Sequence, residues 1–365
     1  MNNSLNPNRL KLARERKALT LKALSELTGI TTRMLSNYEN GHHKKPSEDT
    51  ISKLALALSF PKQFFYEDDI EDLDASIVSF RSLSKMKAAE KASAISAGRL
   101  AMLFNGWLDN NFTLPKANLL DLRDLSPSAA ASAIRQHWGL GELSIRNVIH
   151  LLEANGVRVF ALAEQNMSVD AFSFWKNDVP FVFLNTMKSA ERSRFDAAHE
   201  LGHLLLHNHG ETPTGREAEK EADQFASAFL MPEGSVRSHG RSFPTIEELI
   251  QLKKNWTVSV AALTRRLYDL DIISEWHYRS LSVDLGRRGY YKTEPDSVTR
   301  EQSLLLTKVV SAMNKSGTST SDVARELSIP RQELDVLLFT AHLATNNSTP
   351  NSKPERSPPK LRLVK

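Results

Sequence analysis

Cysteine is absent from the 365-residue chain. Its absence excludes disulfide scaffolds, thiolate zinc fingers, cysteine nucleophiles and thiol redox sensing together. No apolar run approaches the ~20 residues that a membrane-spanning helix needs. The opening MNNSLNPNRLKLARERK is polar and basic and lacks the apolar stretch of a secretory signal. These absences predict a cytoplasmic protein with no membrane role, in which any metal site must draw on His, Asp or Glu. What is present is the balance of an ordinary folded chain, 41% hydrophobic and 25% charged. The length implies two or three domains of roughly 100–200 residues each.

The net charge of +4 hides an uneven distribution. Residues 1–65 hold eleven Lys/Arg against five acids, and an acidic stretch from Glu67 to Asp74 follows. A compact basic module of this kind points to phosphate contacts. The same residues read as short helices with sharp punctuation. Thr20, Thr31 and Ser47 stand where helix N-caps belong, Thr28-Gly29 and Asn40-Gly41 end elements, and Ile51, Leu54, Ala55 and Leu58 recur at helical spacing. Two short helices joined by a Gly-containing turn form a helix-turn-helix unit.

The run LKLARERKALTLKALSELTGITTRMLSNYENGHHKKPSEDTISKLALAL resembles an XRE-type (lambda-repressor-like) helix-turn-helix domain. The resemblance rests on Arg14, the Ala23–Leu27 helix, Gly29, the Y-E-N-G end of the third helix and the following K-P-S. It implies that the third helix enters the major groove, with Thr31, Thr32, Arg33, Ser36 and Asn37 positioned to reach bases or phosphates. Lys44 and Lys45 complete the candidate DNA contacts, and Arg14–Glu39 matches a structural ion pair of the family. Leu21 departs from the Gln often found at the start of the second helix.

From Glu67 to about Leu125 the pattern weakens into a connector, with an amphipathic helix at Lys87–Leu108. Helices are expected at Ser128–Trp138 and Ile145–Asn155, and strands at Val157–Leu162, Ala171–Trp175 and Phe181–Leu184, with a turn at Asn177-Asp178. Next comes SAERSRFDAAHELGHLLLHNHG. In its H-E-x-x-H, His199 and His203 lie one turn apart on one helix face and can bind one metal ion, with Glu200 beside that face. A zinc site needs a third protein ligand. His209 stands where a metzincin has its third His, but the required Gly is Leu206, and a continued helix turns His209 roughly 240° from His203. In EAEKEADQFASAFLMP, Glu219, Ala222, Asp223 and Ala226 share one face. Glu219 is therefore the better ligand, Asp223 can hold a ligating His in its tautomer, and Glu221 is the fallback. His207 continues the row from His199 and His203 and is expected behind the ligands or at the helix end.

The text S-x-E-R-x-R-F-x-x-A-H-E-L-G-H-L-L-L-H, then E-x-E-A-D-x-F-A-x-x-F-L-M-P, resembles the ImmA/IrrE-type (M78-like) zinc metallopeptidases. The W-G-L-G, L-L-E-x-N-G-V and V-D-A-F-S segments upstream agree with it. The resemblance implies one Zn2+ held by His199, His203 and Glu219, with Glu200 as the base that activates water against a peptide carbonyl.

The expected fold is multidomain and mainly α. It comprises a helix-turn-helix domain (1–67), a linker and lead-in helix (68–125) and a central α+β zincin-like domain with a small sheet (126–240). A helical C-terminal domain (241–345) and a disordered basic tail (346–365) complete it. Within the C-terminal part, TSTSDVARELSIPRQELDVLLF looks superficially like another helix-turn-helix and reads as a helical packing module, with a second DNA-reading unit as the alternative. Arg265, Arg266, Arg287 and Arg288 are candidates for phosphate contact or for surface solvation. Two functions compete, beside a third and blander one, a metal-dependent DNA-binding scaffold. One is a regulator that binds double-stranded operator DNA, palindromic and read by a homodimer, whose peptidase cuts a repressor, an antitoxin or itself after a stress or phage signal. The other is a regulator or antitoxin whose zincin-like domain senses or binds a partner, such as a toxin, without turnover.

Overall fold

The computed structural model describes residues 4–43, 45–74, 78–80, 87–162, 170–207 and 215–339. Among these described residues the chain is mainly α, with one small sheet, as expected. Helices α1 (Pro7–Arg16), α2 (Leu21–Thr28), α3 (Thr32–Glu39) and α4 (Glu48–Leu58) form the first unit. Asn6, Thr20, Thr31 and Ser47 cap them through side-chain oxygens that accept backbone N–H groups. Gly29, at φ 71°, turns α2 into the approach to α3. Leu10, Leu24, Leu35, Ile51, Leu54 and Leu58 are all fully buried between the helices. A short 3-10 turn at Lys62–Tyr66 adds Phe64 and Phe65 to that core.

Two elements follow in what the sequence presents as connector. Strand β1 (Ser79–Phe80) was not anticipated, since two residues carry no alternation to detect. Helix α5 (Ala88–Asn111) is the expected lead-in and packs along α1. Then come α6 (Pro127–His137), α7 (Val148–Ala154), β2 (Arg158–Leu162), β3 (Ala171–Lys176) and β4 (Val179–Asn185). The sheet order is β1-β3-β4-β2, with β2 parallel to β4 and β3 antiparallel to both its neighbours. Asn177 and Asp178 join β3 to β4 at φ 50° and 60°, the backbone of a tight two-residue hairpin. The strand period sends Phe172 and Phe174 toward Gly98 of α5, while Ser173 and Trp175 face the next helix.

That helix, α8 (Ala190–Leu206), is capped by Ser189, and it lies against α9 (Arg216–Leu230). A Cβ on Gly202 would stand 3.0 Å from the Phe225 ring and 3.3 Å from Cα of Ala222, so glycine permits this close approach. Helices α10 (Glu233–His239), α11 (Ile246–Leu252), α12 (Val260–Asp269) and α13 (Glu275–Arg287) follow, then α14 (Leu304–Lys315), α15 (Thr320–Glu326) and α16 (Arg331–Leu337).

The C-terminal helices are tied to the rest by buried charge. Glu153 of α7 accepts from the N–H groups of Leu304 and Leu305 at 3.0 Å each, at the start of α14. Glu301 in turn accepts from Val148 and Ile149 at the start of α7 and pairs with buried Arg194. Farther on, Glu333 of α16 pairs with Arg16 (2.8 Å) and Lys17 (3.2 Å) of the first unit, and Glu326 accepts from the Trp107 indole of α5. The expected packing module therefore packs back onto α1 and α5. The tail from residue 346 lies outside the described residues.

Candidate metal centre and DNA-reading helix

The local reason for the metal centre is the α8–α9 contact that Gly202 allows. His199 and His203 project one turn apart from α8, and Glu219 projects from the first turn of α9 to meet them. Their ligating atoms lie within 4.8 Å of one another. The two imidazole Nε2 atoms are 3.0 Å apart, and the Glu219 carboxylate oxygens stand 3.6 Å from His199 and 3.3 Å from His203.

Hydrogen bonds behind the imidazoles orient them. His199 Nδ1 donates to Asp223 at 2.9 Å. His203 Nδ1 bonds His207 Nδ1 at 2.9 Å, and His207 Nε2 in turn donates to Glu221 at 2.8 Å. With a proton on each ligand Nδ1, both Nε2 lone pairs face the space beside Glu219. The fallback carboxylate, Glu221, is thus engaged behind the site, as its helix face demands. His209 lies outside the described residues.

Protonation suits a cation. Burial brings His203 down to about 4, against the pull of Glu219. Burial alone would raise Glu219, but the neighbouring His199 and His203 rings outweigh it and take its carboxyl to about 2. At neutral pH the centre offers a neutral His203 and one carboxylate, a nitrogen and oxygen donor set that fits zinc.

Glu200 is fully buried and is held from the sheet side. Ser173 of β3 donates its hydroxyl hydrogen to Glu200 Oε2 at 2.6 Å. Sequence reasoning gave Ser173 no role, although the V-D-A-F-S segment contains it. A cleft of about 1100 Å³ reaches Glu219 and Asp223 and is walled by Arg192, Phe195, Tyr290 and Tyr291. Arg265 and Arg266 border it too. Neither is a spare cation, since Arg265 pairs with Asp269 at 2.8 Å and buried Arg266 donates to the Met231 carbonyl. Arg288 pairs with Glu247 and Asp284.

In the first unit, Arg14 grips Glu39 with two hydrogen bonds of 2.6 and 2.8 Å, fixing the end of α3 against α1. Leu35 and Tyr38 turn inward, leaving Thr32 and Arg33 exposed and Ser36 and Asn37 half-exposed on the opposite face. Thr31 is exposed, and its hydroxyl oxygen accepts the Met34 N–H as the cap of α3. Lys45 is exposed beyond the helix, and Lys44 lies outside the described residues. Leu21 is half-buried in the first turn of α2 and has no polar group to offer DNA.

This architecture defines a class: a DNA-binding helix-turn-helix unit joined in one chain to a zincin-like domain. Residues 10–65 match the helix-turn-helix family, and residues 152–268 match the IrrE N-terminal-like domain of the M78 peptidase family. The chain is also 33% identical over 98 residues to the HTH-type transcriptional repressor RghR of Bacillus subtilis (strain 168), a match spanning 26% of this chain and 71% of that protein. The chain belongs to the XRE-type helix-turn-helix transcription regulators and carries an M78 peptidase-family domain.

Proposed function

We propose that this regulator is an operator-bound, zinc-dependent endopeptidase that cuts a protein partner in a stress or phage response. That partner is a repressor, an antitoxin or the chain itself. The observation that carries the reading is the convergence of His199, His203 and Glu219, with Glu200 next to His199 in the chain as a buried carboxylate bonded to Ser173. Zinc bound by these three ligands would supply Lewis acidity and a water of lowered pKa. Glu200 takes the proton of the attacking water and returns it to the leaving amine, while Asp223 and the His207–Glu221 pair hold the imidazoles in register. Joining a DNA reader to the peptidase raises the effective concentration of any DNA-bound substrate.

The reading keeps the proposed layout: a DNA-binding domain over 1–67, a linker and lead-in helix to 125, the peptidase-like domain over 126–240 and helices to 345. It also keeps a homodimer on a palindromic operator, because helix-turn-helix dimers read paired half-sites. The cytoplasm, on the nucleoid, is the expected location. Repression is the activity named for the relative and suits this chain in the same way.

A second reading is favoured by one observation: His199, Glu200 and His203 are at most 4% exposed. A domain closed in this way also suits a sensor or antitoxin that binds a partner without turnover. New protein N-termini should be compared between cells expressing the wild type and Glu200→Gln, before and after DNA damage or phage challenge. Termini specific to the wild type would establish the peptidase and name its substrate. Identical sets, with both proteins folded and zinc-loaded, would select the second reading.

A further inference from the structure

Two described parts of the connector between the DNA-binding unit and α5, Glu71–Asp72 and β1, lie against the strand that holds Glu200. Glu71 pairs with Lys176 at 2.9 Å, at the far end of β3, and Lys176 also donates to the Asp72 carbonyl at 3.1 Å. Leu73, 3% exposed, sits under α5, where its Cδ2 approaches the place a Gly98 side chain would occupy. Val78 is buried as well, and β1 then pairs antiparallel with β3, Ser79 opposite Ser173 and Phe80 opposite Phe172. Ser173 is the residue that holds Glu200. A sheet edge is the place where an extended peptide adds its backbone. Here that edge, at the residue touching the base, is already taken by this chain.

We propose that the connector is a built-in competitive strap: β1, anchored by Glu71, Leu73 and Val78, fills the edge of β3 on which an extended substrate must lie. This rests on the peptidase reading for its consequence, but not for the occupancy itself. The cleft lined by Glu219 and Asp223 has neither Glu200 nor the two imidazoles in its wall, so it does not by itself bring a peptide to the base. The strap begins at the last residues of the DNA-binding unit, where Asn6 donates to the Glu67 carbonyl and Arg9 to that of Asp68. A rearrangement there pulls on the strap, which links the state of the DNA reader to access at the peptidase.

An intramolecular competitor acts at an effective concentration of about millimolar, and a competitor raises KM while leaving kcat unchanged. The test uses the full-length, zinc-loaded protein with Phe80→Pro, which removes a backbone N–H from β1, and Glu71→Lys, which repels Lys176 without touching the core or β3. Fluorescein-labelled β-casein is the extended probe, and hydrogen exchange at residues 171–176 reports the pairing. Both variants are expected to raise exchange there and to lower KM about tenfold with kcat unchanged. Faster exchange with an unchanged KM would overturn the strap, and so would wild-type cleavage within residues 70–86. If no variant cleaves casein, its affinity for each strap variant in the zinc-loaded Glu200→Gln background decides. Binding about tenfold tighter than to Glu200→Gln alone keeps the strap and retires the peptidase, whereas equal binding overturns the strap.

Discussion

Ser173 of β3 and Glu200 of α8 are joined by a 2.6 Å hydrogen bond in a fully buried setting. The hydroxyl fixes one carboxylate oxygen, so Glu200, the proposed base, is aimed by the sheet and not by its own helix alone. A hydrogen bond to a charged group contributes about 1.5–3 kcal/mol. Ser173→Ala is therefore expected to lower kcat on a cleaved substrate roughly tenfold or more while leaving zinc content and fold intact. Equal kcat in the two proteins would remove Ser173 from the site.

The ligand assignment makes a graded prediction. Glu219→Ala removes the only carboxylate among the three converging ligand atoms and should abolish stoichiometric zinc in a chelator-competition assay read by mass spectrometry. Asp223→Asn leaves all three ligands in place but weakens the hold on His199 Nδ1. It should reduce zinc affinity about 10–100-fold. A full zinc complement in Glu219→Ala under chelator competition would refute the ligand set.

The DNA-reading face is tested separately. Arg33→Ala should weaken operator binding by roughly 1–3 kcal/mol if the guanidinium reads a base edge. Zinc content should not change, because Arg33 lies on α3, outside the metal centre. Unchanged operator affinity in a salt titration would remove Arg33 from the interface.

Glu153 sets a pH dependence far from the metal. Burial pushes its carboxyl up to about 7, although Ser303 and the N–H groups of Leu304 and Leu305 favour its ionised form. In the unfolded chain it ionises near the ordinary glutamate value. The folded state therefore binds the proton more tightly, and its contribution to stability is full below the unfolded pKa and is lost as pH rises through about 7. Relative to Glu153→Gln, the wild type should lose up to about 3 kcal/mol across that window, measured by thermal unfolding at a series of pH values. Parallel curves for the two proteins would show that Glu153 does not titrate there.

Much of this protein was legible before any coordinates. The caps Thr20, Thr31 and Ser47 and the shared face of His199 and His203 follow from helix periodicity, and the fold brings Glu219 to that face; His209 lies outside the described residues. That periodicity is a local property written within a few turns of chain. The structure sets Asp223 behind His199 and His207 behind His203 for the same reason, since spacing of three or four residues fixes a shared face.

Other features depend on pairs distant in sequence, and only the tertiary fold brought them together. Ser173 and Glu200 meet because β3 lies under α8, while Glu153 caps α14 at a separation of 151 residues and Glu301 caps α7 at 153. Strand β1 is two residues long and leaves no pattern to read; it exists because the edge of β3 supplies its hydrogen-bond partners. Residue order alone determined which groups are candidates to ligate a metal or read DNA. Packing decided which of them are reachable, because backbone pairing and burial are settled by whatever lies alongside.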